Sequence, residues 1–177
     1  PAPRYVLVSM SADSRGAMFL RRLASKARAA RWDSAFFCPV SARAGTIPGS
    51  QSSYMEAGGV SGRTLGLVGV GGVGRAVARR AQGFPLRVIY HDPRRLAPDE
   101  EKALGLTWVA FDELLATADF VSIHANLSPA TRHLIGAREL GLMKSTAYLI
   151  NTSRGPIVDE QALIRALTER RIAGAGL

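Results

Sequence analysis

The chain has 177 residues, 47% of them hydrophobic, and a formal net charge of +9 from 23 Lys and Arg against 14 Asp and Glu. That length sets one domain, or one domain plus a fragment, and the apolar content is ample for a buried core. No apolar run is long enough to span a bilayer and no apolar signal core opens the chain, so a cytoplasmic protein is expected; the lone Cys38 builds neither an internal disulfide nor a metal cluster.

Taken in chain order, residues 1–62 hold one predicted helix, Ala17 to Arg31, and a Gly/Ser/Pro-rich stretch from Ser41 to Gly62. They read either as a connector left from a preceding region or as low-complexity disorder, set apart from residues 63–177. From Thr64 an apolar strand runs into the turn Gly69-Val70-Gly71-Gly72-Val73-Gly74, and a helical pattern from Arg75 to Ala81 follows without a gap. A second strand, Arg87 to Tyr90, leads to Asp92, 23 positions beyond Gly69. This is the strand, turn, helix, strand, acid order that holds a dinucleotide.

Each glycine has a physical task. Gly69 lets the chain turn sharply out of the strand, Gly71 leaves room for a pyrophosphate beside the backbone, and Gly74 lets the helix pack closely on the strand. The helix N-terminus adds unpaired N–H groups and partial positive charge, which suit a phosphate without any lysine. The Asp92 carboxylate can accept hydrogen bonds from the adenosine ribose and would repel a 2′-phosphate, so NAD is expected ahead of NADP. Arg94 and Arg95 pull the other way, because guanidinium groups just past that strand either grip a phosphate or lie in a solvated loop.

The rest of the chain keeps alternating. A loop from Pro93 to Pro98 precedes a short helix, Asp99 to Leu104, and a brief strand, Thr107 to Val109. A helix from Asp112 to Ala118 carries Asp112 and Glu113 at its positive end. Then come a buried strand from Phe120 to His124, a loop at Ser128-Pro129, a short helix from Arg138 to Met143 and a strand from Ala147 to Asn151. Asp159 starts a helix to Arg170, and Ile172 to Leu177 begins one more strand. Alternation of this kind makes a doubly wound parallel α/β sheet of Rossmann type, with helices on both faces. It is expected to be incomplete at both ends: the chain stops inside an apolar strand, and no second alternating unit precedes residue 63.

The stretch from Gly62 to Leu177 resembles the D-isomer-specific 2-hydroxyacid dehydrogenase family, which includes glyoxylate/hydroxypyruvate reductases and phosphoglycerate dehydrogenases. The resemblance rests on the glycine turn and on Asp112-Glu113-Leu114-Leu115 leading to Asp119-Phe120-Val121-Ser122-Ile123-His124. It rests also on Leu127-Ser128-Pro129-Ala130-Thr131-Arg132-His133-Leu134-Ile135, and above all on Leu149-Ile150-Asn151-Thr152-Ser153-Arg154-Gly155-Pro156-Ile157-Val158-Asp159-Glu160. The resemblance implies that Arg154 binds the carboxylate and carbonyl oxygen of a 2-oxo acid. The chemistry asks for such a group, since hydride attack builds negative charge on that oxygen. It further implies that Thr152 and Ser153 line the nicotinamide pocket, and that Ala125, Asn126, Leu127 and, less directly, Thr131 lie beside the adenosine and ribose.

Two departures stand out. Gly72 replaces a larger, often basic residue inside the turn, which leaves Gly72 and Val73 to contact the pyrophosphate through backbone. Asn126 stands where proline is frequent. The family also supplies a glutamate and a histidine after the Gly174-Ala175-Gly176-Leu177 strand, and the chain ends before both. His91, His124 and His133 align with non-catalytic positions, so these 177 residues are expected to bind NAD with negligible turnover. A non-catalytic NAD-binding module, corepressor-like or a decayed enzyme, is the other reading.

The positive charge admits a nucleic-acid partner. However, the arginines are scattered over helix faces, without interleaved aromatics or a binding motif, and an anionic cofactor and substrate account for the balance equally well. The expected partners are therefore a small 2-oxo or 2-hydroxy acid and, by resemblance, a second copy of the full-length protein, with neither nucleic acid nor membrane.

Overall fold

A computed structural model describes residues 59–177 of the chain. The expected helix at 17–31, the fate of most of the 41–62 stretch, and Cys38 lie outside the described residues. Within them, six parallel strands form one sheet in the order β3-β2-β1-β4-β5-β6. The strands are β1 (Thr64–Val68), β2 (Arg87–His91), β3 (Leu106–Trp108), β4 (Phe120–Ile123), β5 (Tyr148–Asn151) and β6 (Gly174–Gly176). Between them run helices α1 (Gly72–Ala81), α2 (Pro98–Leu104), α3 (Phe111–Thr117), α4 (Ala137–Leu142) and α5 (Glu160–Thr168).

The sheet is covered on both faces because its central strand has two different sides. Leu67 of β1 joins a cluster with Ala78 and Ala81 of α1, Leu104 of α2, and Val88 and Tyr90 of β2. Gly66, its neighbour, faces the other way. A Cβ on Gly66 would lie 2.7 Å from a Leu114 methyl and 2.9 Å from the Ala118 methyl, so α3 packs directly on the bare backbone. Leu114 and Leu115 of α3, Val121 and Ile123 of β4, Leu149 of β5 and Leu163 of α5 are fully buried. Strands buried on both faces read as continuous apolar runs, as β2 and β4 do.

The strand order reverses at the boundary between β1 and β4, so the crevice at their carboxyl ends is the natural ligand position of such a sheet. Strands β1 and β4 are in register there, with Val68 opposite Ile123.

Several element boundaries differ from the sequence expectation, for identifiable reasons. Helix α1 begins at Gly72, three residues before the expected Arg75, with Gly71 as its N-cap, so the glycines form the helix's own first turn. Helix α5 ends at Thr168 because Arg170 adopts a left-handed conformation, φ 57°. Strand β3 starts and ends one residue early, and β6 covers only Gly174–Gly176. A 3-10 turn at Gly155–Ile157 and an isolated bridge between Ile135 and Val158 were not anticipated.

Candidate functional site

The glycine turn leaves β1 through Gly69, whose φ of +91° is open to glycine and strained for other residues. A Cβ there would also meet the His124 carbonyl and the Ala125 nitrogen at 3.1 Å, so the turn rests against the loop that follows β4. Gly74 is tighter still: a Cβ would lie 2.3 Å from the Gly69 carbonyl oxygen. Closing the helix onto the turn therefore depends on Gly74. Gly71 and Gly72 differ, because a Cβ on either meets nothing within 4 Å. Their bareness answers no contact within the protein, and it leaves the first-turn amides of α1 unobstructed. Those N–H groups have no acceptor within the helix. Val73 beside them is 62% exposed.

Asp92, just past β2, is drawn into this turn. Its Oδ2 accepts the Val70 N–H at 3.0 Å and its Oδ1 accepts the Arg94 N–H at 2.9 Å. The carboxylate is thus fixed beside the glycines, with lone pairs left for a further donor. Gly69 N–H donates to the His91 carbonyl at 2.9 Å, a second tie between the ends of β1 and β2.

The loop after β5 is organised by Asn151, which is buried. Its Oδ1 accepts the Ser153 N–H at 3.0 Å and its Nδ2 donates to the Arg154 carbonyl at 2.9 Å. Ser153 Oγ donates to the Ile123 carbonyl at 2.9 Å, pinning this loop to the end of β4. The result holds Thr152 and Arg154 exposed at the rim, with the Arg154 guanidinium near its own chain through a 2.9 Å bond to the Ser153 carbonyl. Asn151 was quoted in the sequence motif without a role. An Asn closing a strand just before a turn is the available signal, since its side chain can bond its own backbone two residues on.

His124 bridges the two loops. Its Nε2 lies 3.0 Å from Ser122 Oγ and its Nδ1 lies 3.4 Å from Thr152 Oγ1. Burial holds its pKa below the ordinary value, favouring neutral imidazole. His91 donates through Nδ1 to the Val109 carbonyl at 3.0 Å, and His133 occupies a turn with φ 54°.

Of the expected site residues, contacts thus bring Gly69, Gly74 and Ala125 together, place Asp92 against Val70, and connect Thr152 and Ser153 to the end of β4. Asn126 and Leu127 are exposed beyond Ala125. The Thr131 hydroxyl faces its own loop: it donates to the Asn126 carbonyl at 2.6 Å and accepts the Ser128 N–H at 2.8 Å. Arg95, considered as a phosphate grip, is paired instead with Glu101. A groove of about 290 Å³ between α4 and α5, lined by Ala137, Leu140, Ala162 and Arg165 among others, lies on different elements from this rim. Among the described residues, no helix is long and apolar enough to cross a membrane, and no group of three or more His, Cys, Asp or Glu could hold a metal ion.

Comparison with known proteins meets the same residues. The sequence profile of the "D-isomer specific 2-hydroxyacid dehydrogenase, NAD binding domain" matches residues 23–177. A glyoxylate reductase of Korarchaeum cryptofilum is 54% identical over 118 residues, which are 67% of this chain and 35% of that protein. A glyoxylate reductase of Thermococcus litoralis is 51% identical over 119 residues, 67% of this chain and 36% of that protein. The chain therefore spans about a third of the length of the curated relatives it matches. Among solved structures, a glyoxylate reductase from Paecilomyes thermophila superposes with TM-score 0.68 at 43% identity, covering 77% of this chain and 40% of that one. The NAD-complexed D-isomer specific 2-hydroxyacid dehydrogenase of Lactobacillus delbrueckii ssp. bulgaricus superposes with TM-score 0.63 at 45% identity, covering 67% and 35%.

Proposed function

Because the chain belongs to the D-isomer-specific 2-hydroxyacid dehydrogenases, as an NAD-binding domain of that family, we propose that the complete protein reduces a short 2-oxo acid such as glyoxylate or hydroxypyruvate. In this reading the amides of Gly71, Gly72, Val73 and Gly74 receive the pyrophosphate at the N-terminus of α1. Asp92 accepts from the adenosine ribose and disfavours a 2′-phosphate, which puts NAD ahead of NADP. Ala125, Asn126, Leu127 and, through the loop it braces, Thr131 border the adenosine side, while Thr152 and Ser153 border the nicotinamide. The observation that carries the reading is the pair of glycine environments. A Cβ on Gly74 would lie 2.3 Å from the Gly69 carbonyl oxygen, while a Cβ on Gly71 or Gly72 meets nothing, which supports reading the bare backbone there as left open for a ligand.

The bound nicotinamide supplies or takes up a hydride. Arg154, at the rim and always charged, binds the substrate carboxylate and stabilises the oxygen on which negative charge develops. The alkoxide then needs a proton donor, ideally an oriented histidine. His91 is held by Val109, His124 sits between Ser122 and Thr152, and His133 lies in a left-handed turn with its N–H donating to the Pro156 carbonyl. A polypeptide of these 177 residues is accordingly inferred to bind NAD with negligible turnover, and the complete protein to act as a cytoplasmic homodimer.

Calorimetric titration with NADH, alongside an assay of glyoxylate- and hydroxypyruvate-dependent NADH oxidation, tests both halves. Binding without oxidation is expected. Measurable oxidation by the 177 residues alone overturns the second half, and failure to bind NADH overturns the first.

A further inference from the structure

The corner around Asp92 is crowded with arginine, and α2 governs where two of those side chains go. Glu101 of α2 is 9% exposed. It accepts Arg95 through Nε at 2.9 Å and Nη2 at 3.1 Å, and the Tyr90 hydroxyl at 2.7 Å. Tyr90 is fully buried, and its hydroxyl accepts the Leu96 N–H at 2.9 Å. Burial and the bond to Glu101 push that phenol up to about 12, so it stays a donor to the carboxylate at any ordinary pH. The residue after Arg95 and the Arg95 guanidinium itself are thus both tied to one buried pair. The guanidinium lies 5.7 Å from the Trp108 ring centroid, and Trp108 Nε1 donates to the Asp92 carbonyl at 3.4 Å, which ties this assembly to the Asp92 backbone. Glu100, the neighbouring acid of α2, holds Arg75 of α1 in the same two-pronged way, at 2.5 and 3.3 Å.

We propose that Glu101 is a specificity-determining positioning residue: it holds Arg95 on the α2 side and so withholds a guanidinium from the ribose 2′ position beside Asp92, which keeps the site selective for NAD over NADP. The proposal rests on the reading of Asp92 as the ribose acceptor. The physics is a competition for one cation. To meet a 2′-phosphate, Arg95 must leave a carboxylate that is almost fully buried, and a buried charge stripped of its partner is costly. Arg94, which is exposed and has no side-chain ion pair among the described residues, carries no such restraint. Selectivity therefore depends on residues outside the binding turn, on a helix that touches no part of the nucleotide in this reading.

Direct titration of NADH and NADPH into the full chain tests it. In Glu101→Gln, which keeps a partner for Tyr90 but loses the charge, the ratio of affinities is expected to move toward NADPH by about five- to tenfold, the worth of one charge-assisted contact. The gain is expected to vanish in Glu101→Gln/Arg95→Ala. Arg95→Ala alone takes the ion partner from Glu101 and is expected to lower stability, while the folded chain, with Glu101 still accepting from Tyr90, keeps its NADPH affinity within twofold. Glu101→Asp, which keeps the charge but shortens its reach to Arg95, is the second variant should Glu101→Gln not fold: a smaller shift in the same direction is expected, and no shift overturns the proposal. An unmoved ratio with NADH binding intact overturns the proposal, as does a gain that survives without Arg95, or a loss of NADPH binding in Arg95→Ala. Loss of NADH binding in the unaltered chain overturns the Asp92 reading itself and the proposal with it.

Discussion

The two ends of the parallel sheet are held by opposite means. At the carboxyl end, around Gly69, Gly74, Ala125 and Ser153, the loops meet through bare backbone and short side chains. Close packing and neutral hydrogen bonds such as Ser153 Oγ to the Ile123 carbonyl join the loops there, and the first-turn amides of α1 stay open. At the amino end, Asp119 gathers charge: it accepts the Thr64 N–H at 2.9 Å and Lys144 Nζ at 3.1 Å, with Arg63 at 3.7 Å. Burial pushes the Asp119 carboxyl up, but the Thr64 amide, Lys144 and Arg63 outweigh it and hold the carboxyl below its ordinary range. The carboxylate at the rim, Asp92, is turned onto the Val70 and Arg94 amides and leaves the first-turn amides of α1 open. The opposite end is locked by an ion pair instead.

That contrast can be broken or sharpened by substitution. The largest effect is expected from Arg154→Ala, which in the complete enzyme should lower kcat/KM for the 2-oxo acid by about 10²- to 10³-fold, while NADH affinity changes by less than about threefold. Steady-state kinetics beside NADH titration separates the two. Next comes Asp119→Ala, which orphans the Thr64 amide and the Lys144 ammonium at the far end. It should cost about 1.5–3 kcal/mol in urea unfolding, with NADH affinity unaltered, because no part of the rim depends on it. Gly71→Ala inverts that outcome. Its Cβ meets nothing in the protein, so stability should hold within about 0.5 kcal/mol, yet NADH should bind about tenfold or more weakly because the methyl group occupies the pyrophosphate's approach. Equal losses of binding and stability in Gly71→Ala would remove the distinction between the two ends.

The smallest effect is a pH slope. Burial lowers the His124 pKa from its ordinary 6.5. The folded state therefore favours the neutral ring, and its contribution to stability is complete above 6.5. It is lost as pH falls from there through the lowered folded value, since the unfolded chain takes up the proton first. Melting curves between about pH 5 and pH 8 should show this slope in the unaltered protein and a flatter one in His124→Gln. A slope of the opposite sign would mean that His124 is charged in the fold.

Much of this architecture was legible in the sequence because the relevant signals are local. The glycine turn, the helix after it and Asp92 lie within 24 residues, from Gly69 to Asp92 inclusive, and their spacing is set by backbone geometry alone. The order of strands and helices followed from runs of Val, Ile and Leu. What escaped was long-range. Gly66 reads as an ordinary strand glycine until α3 is seen pressed on it, 48 positions from Leu114. Nothing local couples Tyr90 to Glu101 and Arg95, since such a pair forms only when β2 and α2 pack. Asn151 was visible in its motif, but its two bonds to Ser153 and Arg154 needed the turn they create. Helix ends slipped by one to three residues because glycines within the first turn of α1 mask its start, and a left-handed Arg170 stops α5 without any glycine to announce it.

The unanticipated bridge beyond β5 has a consequence for motion. His133 N–H donates to the Pro156 carbonyl at 2.9 Å, Ile135 N–H to the Ile157 carbonyl at 3.1 Å, and Asp159 N–H to the Ile135 carbonyl at 2.9 Å. The long loop after β4 and the turn after Arg154 are therefore laced into a single ribbon. In hydrogen–deuterium exchange, the amides of His133, Ile135 and Asp159 should open together as one cooperative unit. An excursion that loosens the loop after β4 would then carry the Arg154 segment with it.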